Sequence, residues 1–318
     1  MTPWPFDRDG GGLLALYVVT LALHAVFVSY VVGGSAYALV QALRRRDDPF
    51  AAVVRDRLPF MLGCGITAGV APLLFVQLLH QRRFYTANLL LGPRWLAVVP
   101  ALIAGFYALY LAKQSARWRR AALAAALACF AFVAWSWSEL HELMLADAEW
   151  RAFYAAGERV FGAATIAPRF VVLAGAMAVL FATVAAWSAE TEQRRMLAAI
   201  ALGARAASAA GGLWLWHAGF AVEGAARAWL AVLAAAFAVE VGAWLAVRWR
   251  GSTRALVVAT AAGAGALVAA VIVREAPRVA LIESPRALAA HAGGEVAFAL
   301  ALVLGIAAIV WVVRLTRR

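Results

Sequence analysis

Long apolar blocks recur along the chain, separated by short polar connections. Each block runs for about 20 residues or more with almost no charge, enough to cross roughly 30 Å of hydrocarbon as a helix. The blocks predict spans near 13–43, 58–80, 94–113, 120–144, 167–188, 197–217, 226–247, 254–274 and 295–314. The short polar–apolar alternation of a membrane barrel is absent from the sequence. The pattern therefore predicts an all-α, polytopic membrane bundle of about nine transmembrane helices in a single domain. The sixth block is the weakest, because Arg205 interrupts it; its Gly203, Ala204, Gly211 and Gly212 suit a helix packed closely against neighbours. The first block is too long for a secretory signal. It follows Asp7, Arg8 and Asp9 instead of a positive stretch, so it is expected to remain as a helix.

Composition agrees: 65% of the 318 residues are hydrophobic and 14% charged, against about 25% charged in a soluble domain. The net charge of +12 sits in alternate connections. Residues 44–57, 113–120, 189–195, 248–254 and the C-terminus hold 17 Lys or Arg against five acidic residues, whereas the opposite connections hold eleven of each. Cationic short loops stay in the cytoplasm. The N-terminus is thus expected outside and the C-terminus in the cytoplasm of a bacterial inner membrane. Because the basic residues alternate with apolar blocks instead of covering one soluble face, nucleic acid is not an expected partner. Cys64 and Cys129 lie inside separate spans and read as small apolar residues, and there is no CxxC or CxxCH for zinc or covalent haem.

Few residues are left to carry chemistry. Arg205 and Glu240 lie at matching depths from the cytoplasmic ends of spans six and seven, and an unpaired charge there costs at least ~2.5–3.5 kcal/mol, so the two are expected to pair. Such a pair can be a structural pin or part of a proton path. His24 stands well inside span one, where an imidazole must hydrogen-bond, pair or ligate. Haem iron and a bond to the core both satisfy that requirement. His80, His141, His217 and His291 fall at outer helix ends, together with Arg82, Arg83, Arg94, Arg274 and Arg278. Haem propionates, lipid phosphates or a periplasmic protein could answer those cations. Ser138-Glu139-Leu140-His141-Glu142 sets two carboxylates three apart beside an imidazole, either to accept protons from a quinol, to bind a cation, or simply as a wet helix end. In 147–166, Trp150, Phe153, Tyr154, Val160 and Phe161 suggest a short interfacial helix. No HExxH, P-loop, dinucleotide fingerprint or serine elbow occurs.

His24, Phe27-Val28 and Gly33 form a His-x-x-Phe-Val-x-x-x-x-Gly pattern, followed by Gly69-Val70-Ala71, Phe75 and Gln77, then Leu143-Met144-Leu145, Trp150 and Pro168-Arg169-Phe170-Val171. Over residues 13 to about 190 these resemble subunit I of cytochrome bd quinol oxidases, and more closely its divergent relatives beside c-type cytochromes. The resemblance implies that His24 is an axial ligand of one b-type haem and that Gln77 stands where the family has a glutamate ligand. On that reading the cofactor-binding residues are His24, Gln77, His141 and Arg169. Val171 and Val172 stand where the family's low-spin haem histidine is expected, and the long quinol loop is missing. The implied protein is a reduced relative: a respiratory electron-transfer subunit meeting quinone or lipid in the membrane and a periplasmic c-type cytochrome outside it. The alternative is a scaffold that kept the fold and lost the cofactors.

The charge asymmetry makes a direct prediction. A fluorescent protein fused after Arg318 is expected to fluoresce in the cytoplasm, and an impermeant maleimide added outside is expected to label Glu158→Cys. The reverse pattern overturns the orientation.

Overall fold

The computed structural model describes residues 8–44, 48–282 and 295–316. Among them the chain forms α1 (Arg8–Leu43), α2 (Pro49–Leu79), α3 (Gln81–Leu91), α4 (Pro93–Leu96), α5 (Val98–Gln114) and α6 (Arg119–Leu145), then α7 (Trp150–Ala155), α8 (Ile166–Ala186), α9 (Thr191–His217), α10 (Arg227–Arg250), α11 (Thr253–Val279) and α12 (Glu295–Thr316), with no strand. Eight helical segments are long and apolar enough to cross a membrane, α4 and α5 counting together as Pro93–Gln114. Within α12, Val296–Ala307 adds a shorter apolar stretch. The protein is an all-α, multi-pass membrane bundle. At 33 residues, the apolar part of α1 spans about 50 Å and must tilt or project beyond the hydrocarbon.

Helix ends follow local chemistry. The first turn of α2 begins at Pro49, earlier than the span expected near 58. Asp48 caps it by accepting the Phe50 N–H at 2.9 Å, and proline suits the position that needs no donor. At the start of α9, Glu190 and Gln193 form a capping box. Gly251, at φ 63°, ends α10 in the left-handed conformation that glycine adopts without a Cβ clash. One departure matters for the site: α11 continues past 274 to Val279, with Pro277 accommodated in its last turn. That extension draws Arg274, Glu275 and Arg278 into the bundle.

The first helix is central, packing on α2, α6, α8, α11 and α12. The strongest pairings otherwise are α5 with α6, α8 with α9, and α10 with α11. Toward the cationic end, Phe181 of α8 sits between Tyr30 and Tyr37 of α1, ring centroids 5.6 and 5.8 Å apart, with Leu58 and Leu123 nearby in the same cluster. A second apolar cluster fills the opposite, loop-rich end with Tyr17, Phe84, Leu140, Leu143, Phe153 and Phe161. Small residues set the closest approaches. A Cβ on Gly211 of α9 would lie 2.9 Å from Val171 Cγ1 and 3.0 Å from the Val172 backbone nitrogen of α8. Some hydroxyls inside the spans bond back to their own helices, Thr20 to the Leu16 carbonyl at 2.8 Å and Ser136 to the Phe132 carbonyl at 2.8 Å, whereas those of Ser29, Ser35 and Ser208 are buried without a partner among the described residues. Hydrocarbon offers no alternative partner. The outward positions are apolar instead: Phe60, Leu96 and Tyr107 are all exposed, as a surface solvated by lipid requires.

Gly211→Ala is expected to destabilise the detergent-solubilised protein by about 1–3 kcal/mol through overpacking against backbone. Gly212→Ala, with nothing within 4 Å of the added carbon, is expected to be near neutral. Equal thermal shifts for the two variants refute this account of the α8–α9 contact.

Candidate functional site

Buried polar groups collect in three places. The largest lies at the loop-rich end, where α1, α3, α6, α8 and α11 converge. Glu275 of α11, 0% exposed, is held between Arg274 (2.7 Å to Oε1) and Arg278, which pairs with its other oxygen. Arg278 also donates to the Tyr17 hydroxyl of α1 at 2.9 Å and points a second nitrogen at the Met144 sulfur, 3.6 Å away. Arg83 of α3 donates to the Met144 carbonyl and to Asp147, each at 2.9 Å. Arg169 of α8 meets Glu142 of α6 at 2.5 Å, and the other Glu142 oxygen accepts the Thr165 hydroxyl at 2.7 Å. Glu139 pairs with Arg94 and accepts the Trp135 indole N–H at 2.9 Å. Every buried carboxylate in this layer thus has its own guanidinium, which offsets a desolvation cost of several kcal/mol per ion.

Ser138–Glu142 is therefore not a wet helix end: Ser138, Glu139, His141 and Glu142 are all buried. Its two carboxylates do not share one ligand either, because Glu139 turns to α4 and Glu142 to α8. Among the described residues no group of His, Cys, Asp and Glu is arranged to hold a metal ion. His141, 1% exposed, has neither ring nitrogen hydrogen-bonded, and the buried Nε2 of His80 is likewise without a partner. His217 is exposed at the end of α9, and His291 lies outside the described residues. The 147–166 segment contains only a six-residue helix, α7. Its aromatics divide. Phe153 and Phe161 stack at 5.7 Å as a buried lid on the network, while Tyr154 and Val160 face outward.

His24 forms the second site. Its Nδ1 lies 2.9 Å from the Gly65 carbonyl of α2, and the ring rests on Gly69, where a Cβ would come within 2.8 Å of it. Only the Nδ1–H tautomer can donate to a carbonyl, so the neutral ring keeps its lone pair on Nε2, which has no partner among the described residues. That is how metal-ligating histidines are held. Gln77 is eight residues beyond Gly69, about 12 Å along α2. The structure therefore does not bring Gln77 to the ring of His24, which rests on Gly69.

The third site is the pair Arg205–Glu240, joined between α9 and α10 in mid-span. Glu240 is 0% exposed, and Trp244 donates to it at 3.4 Å. The Arg205 guanidinium lies over Phe237 at 5.2 Å. Gly263 of α11 leaves room for the carboxylate, since a Cβ there would be 3.0 Å from Glu240 Oε1. Beside the pair is a cavity of about 420 Å³ between α8 and α11, walled by Val172, Ala176, Phe237 and Leu267 with Arg205 and Ser208. The Ser208 hydroxyl and Arg205 Nε are buried without partners.

Sequence reasoning missed Tyr17 and Glu275. An acid flanked by Arg274 and by Arg278 three residues on was a readable signal, but the apolar block expected to span the membrane stopped at 274, short of it.

No protein-family model matches the chain, and no curated protein is similar to it.

His80 gives the loop-rich end a pH dependence. Burial, with Arg278 nearby, holds its imidazole down to about 3 from an ordinary 6.5. Between those values the unfolded chain binds a proton that the folded chain does not. Stability is therefore full above about 6.5 and falls with pH through that window, by at most about 1.4 kcal/mol per unit. Asp147, held below the ordinary carboxylate range by Arg83, acts only at lower pH. Thermal unfolding at pH 7.5 and 5.0 is expected to show a smaller loss in His80→Gln than in the wild type, and equal losses refute the assignment.

Proposed function

We propose that the protein is a membrane subunit of a respiratory electron-transfer assembly in the bacterial inner membrane. On this reading it holds one b-type haem through His24, meets quinone in the hydrocarbon, and docks a c-type cytochrome at its loop-rich end. The observation that carries the reading is the tautomer of His24, whose Nδ1 bond to the Gly65 carbonyl leaves Nε2 as a ligand. His24 would hold the haem iron through Nε2, and when bound the haem would supply one-electron transfer. What the chain itself contributes is orientation. Gly69 allows the ring to lie against α2, and the Gly65 carbonyl fixes its plane and its basicity. The His-x-x-Phe-Val-x-x-x-x-Gly pattern and the resemblance over residues 13 to about 190 support the same assignment.

Two further features fit. The cavity beside Arg205 is apolar except for unused donors on Arg205 and Ser208. A quinone headgroup brings carbonyl acceptors into hydrocarbon and would satisfy them. At the loop-rich end, exposed Tyr154 and Val160 stand with exposed Arg151 and Arg159, an apolar patch edged by charge suited to a periplasmic partner. In this reading His141 and Arg169 support the site from within the network. Arg169 is committed to Glu142, so it is not free to bind a propionate.

A second reading, a haem-free scaffold, rests on a specific observation too. The Gly65 bond already satisfies one nitrogen of the half-buried imidazole, and the buried carboxylates are paired within the chain. The two are separated by purifying the protein in detergent and recording a pyridine haemochrome spectrum. About one haem per chain is expected, lost in a His24→Ala variant that remains monodisperse. A haem-free wild type leaves the scaffold, and haem retained by His24→Ala overturns the ligand.

A further inference from the structure

At the cationic end a pocket of about 260 Å³ lies where the last turns of α1, the first turns of α2 and the start of α6 meet. Gln41 and Ala42 of α1, Asp48, Ala52 and Arg55 of α2, and Arg119 of α6 line it. Its polar groups are only partly used. Asp48 is committed, accepting the Tyr37 hydroxyl at 2.6 Å and the Phe50 N–H at 2.9 Å. Arg55 meets Asp56 at 3.3 Å, but the Asp56 side chain is 49% exposed, and such surface pairs hold weakly. Arg119 Nε is buried without a partner. Gln41 is only 5% exposed, its Oε1 has no partner, and its amide nitrogen is turned to the Tyr37 hydroxyl and the Met196 sulfur, the latter 4.0 Å away.

We propose that this pocket binds the headgroup of an anionic phospholipid, phosphatidylglycerol, at the cytoplasmic face. The unused groups are guanidinium donors and an amide acceptor, so the ligand must offer acceptor oxygens and a donor a few ångströms apart. A phosphodiester esterified to glycerol carries both: its oxygens accept from Arg55 and Arg119, and a glycerol hydroxyl donates to Gln41. Among the described lining residues two arginines face one aspartate, which matches a single negative charge; a zwitterionic headgroup would leave one cation unanswered. The pocket sits at the ends of three spans, where lipid headgroups lie. Next in sequence to lining residues, Val40, Leu43 and Val53 are exposed and apolar, a surface suited to acyl chains. Anionic lipids concentrate on the cytoplasmic leaflet, the side to which the cationic connections assign this end.

The test is thermal unfolding of the full chain in detergent, with native mass spectrometry of bound lipid. Added phosphatidylglycerol is expected to raise the Tm by several degrees and to survive as a single adduct, whereas phosphatidylcholine and sn-glycerol 3-phosphate do neither. The double variant Arg55→Gln/Arg119→Gln is expected to lose shift and adduct, and Ala52→Leu, which fills the pocket and leaves every charge in place, to lose them as well. Arg248→Gln/Arg250→Gln, which removes charge at the same end but outside the pocket, is expected to keep both. A phosphatidylcholine effect equal to that of phosphatidylglycerol, or the adduct kept in Ala52→Leu, overturns the site. Equal loss in the Arg248/Arg250 variant reduces it to general surface charge. A full shift from glycerol phosphate alone overturns the lipid assignment. If the Arg55/Arg119 variant does not fold, Ala52→Leu decides.

Discussion

The bundle depends on one constraint: in hydrocarbon, a charge or a backbone dipole must find its partner inside the protein. Backbone groups meet the condition mainly by staying helical, and hydroxyls such as those of Thr20 and Ser136 by bonding back one turn. Carboxylates meet it pairwise, each with an arginine from a neighbouring helix or turn, as in Glu275–Arg278, Glu142–Arg169, Glu139–Arg94 and Glu240–Arg205. Removing one member of such a pair leaves an uncompensated ion that costs about 3–5 kcal/mol. The three of these pairs that cross between helices therefore specify which helices are neighbours as much as they stabilise the contact.

The charged layer at the loop-rich end also explains the path of the chain there. Tyr17, Arg83, Met144 and Arg278 come from four different helices and are linked through bonds to one another, while Arg169 of a fifth meets Glu142 beside them. Short elements close over them. The 3₁₀ turn at Asp147–Glu149 brings Asp147 to Arg83, and Phe153 and Phe161 seal the layer from outside. Within this satisfied network His141 stands out, fully enclosed with two unused ring nitrogens. Two turns below Tyr17 on α1, about 10 Å deeper, His24 is held differently, by a single carbonyl and the gap over Gly69.

Not every polar group is answered within the described residues. His24 Nε2, the donors beside the α8–α11 cavity and groups lining the cationic pocket have no partner there, and neither do the ring nitrogens of His141 or Nε2 of His80.

By itself the sequence determined an all-α bundle of about nine apolar blocks, of which the described residues carry eight at spanning length and one shorter, because hydrocarbon thickness fixes block length. It also marked His24 and the depth match of Arg205 with Glu240, since a polar side chain inside an apolar block announces itself by contrast. Only the tertiary structure decided which partner each group takes. Glu139 and Glu142, three residues apart, go to different helices, and Glu275 enters the core because α11 continues through Pro277. The Gly65 carbonyl that sets the His24 tautomer is 41 residues away in the chain. Local patterns reflect the solvent around each helix, but pairings across helices depend on packing and rotation that no single stretch of sequence contains.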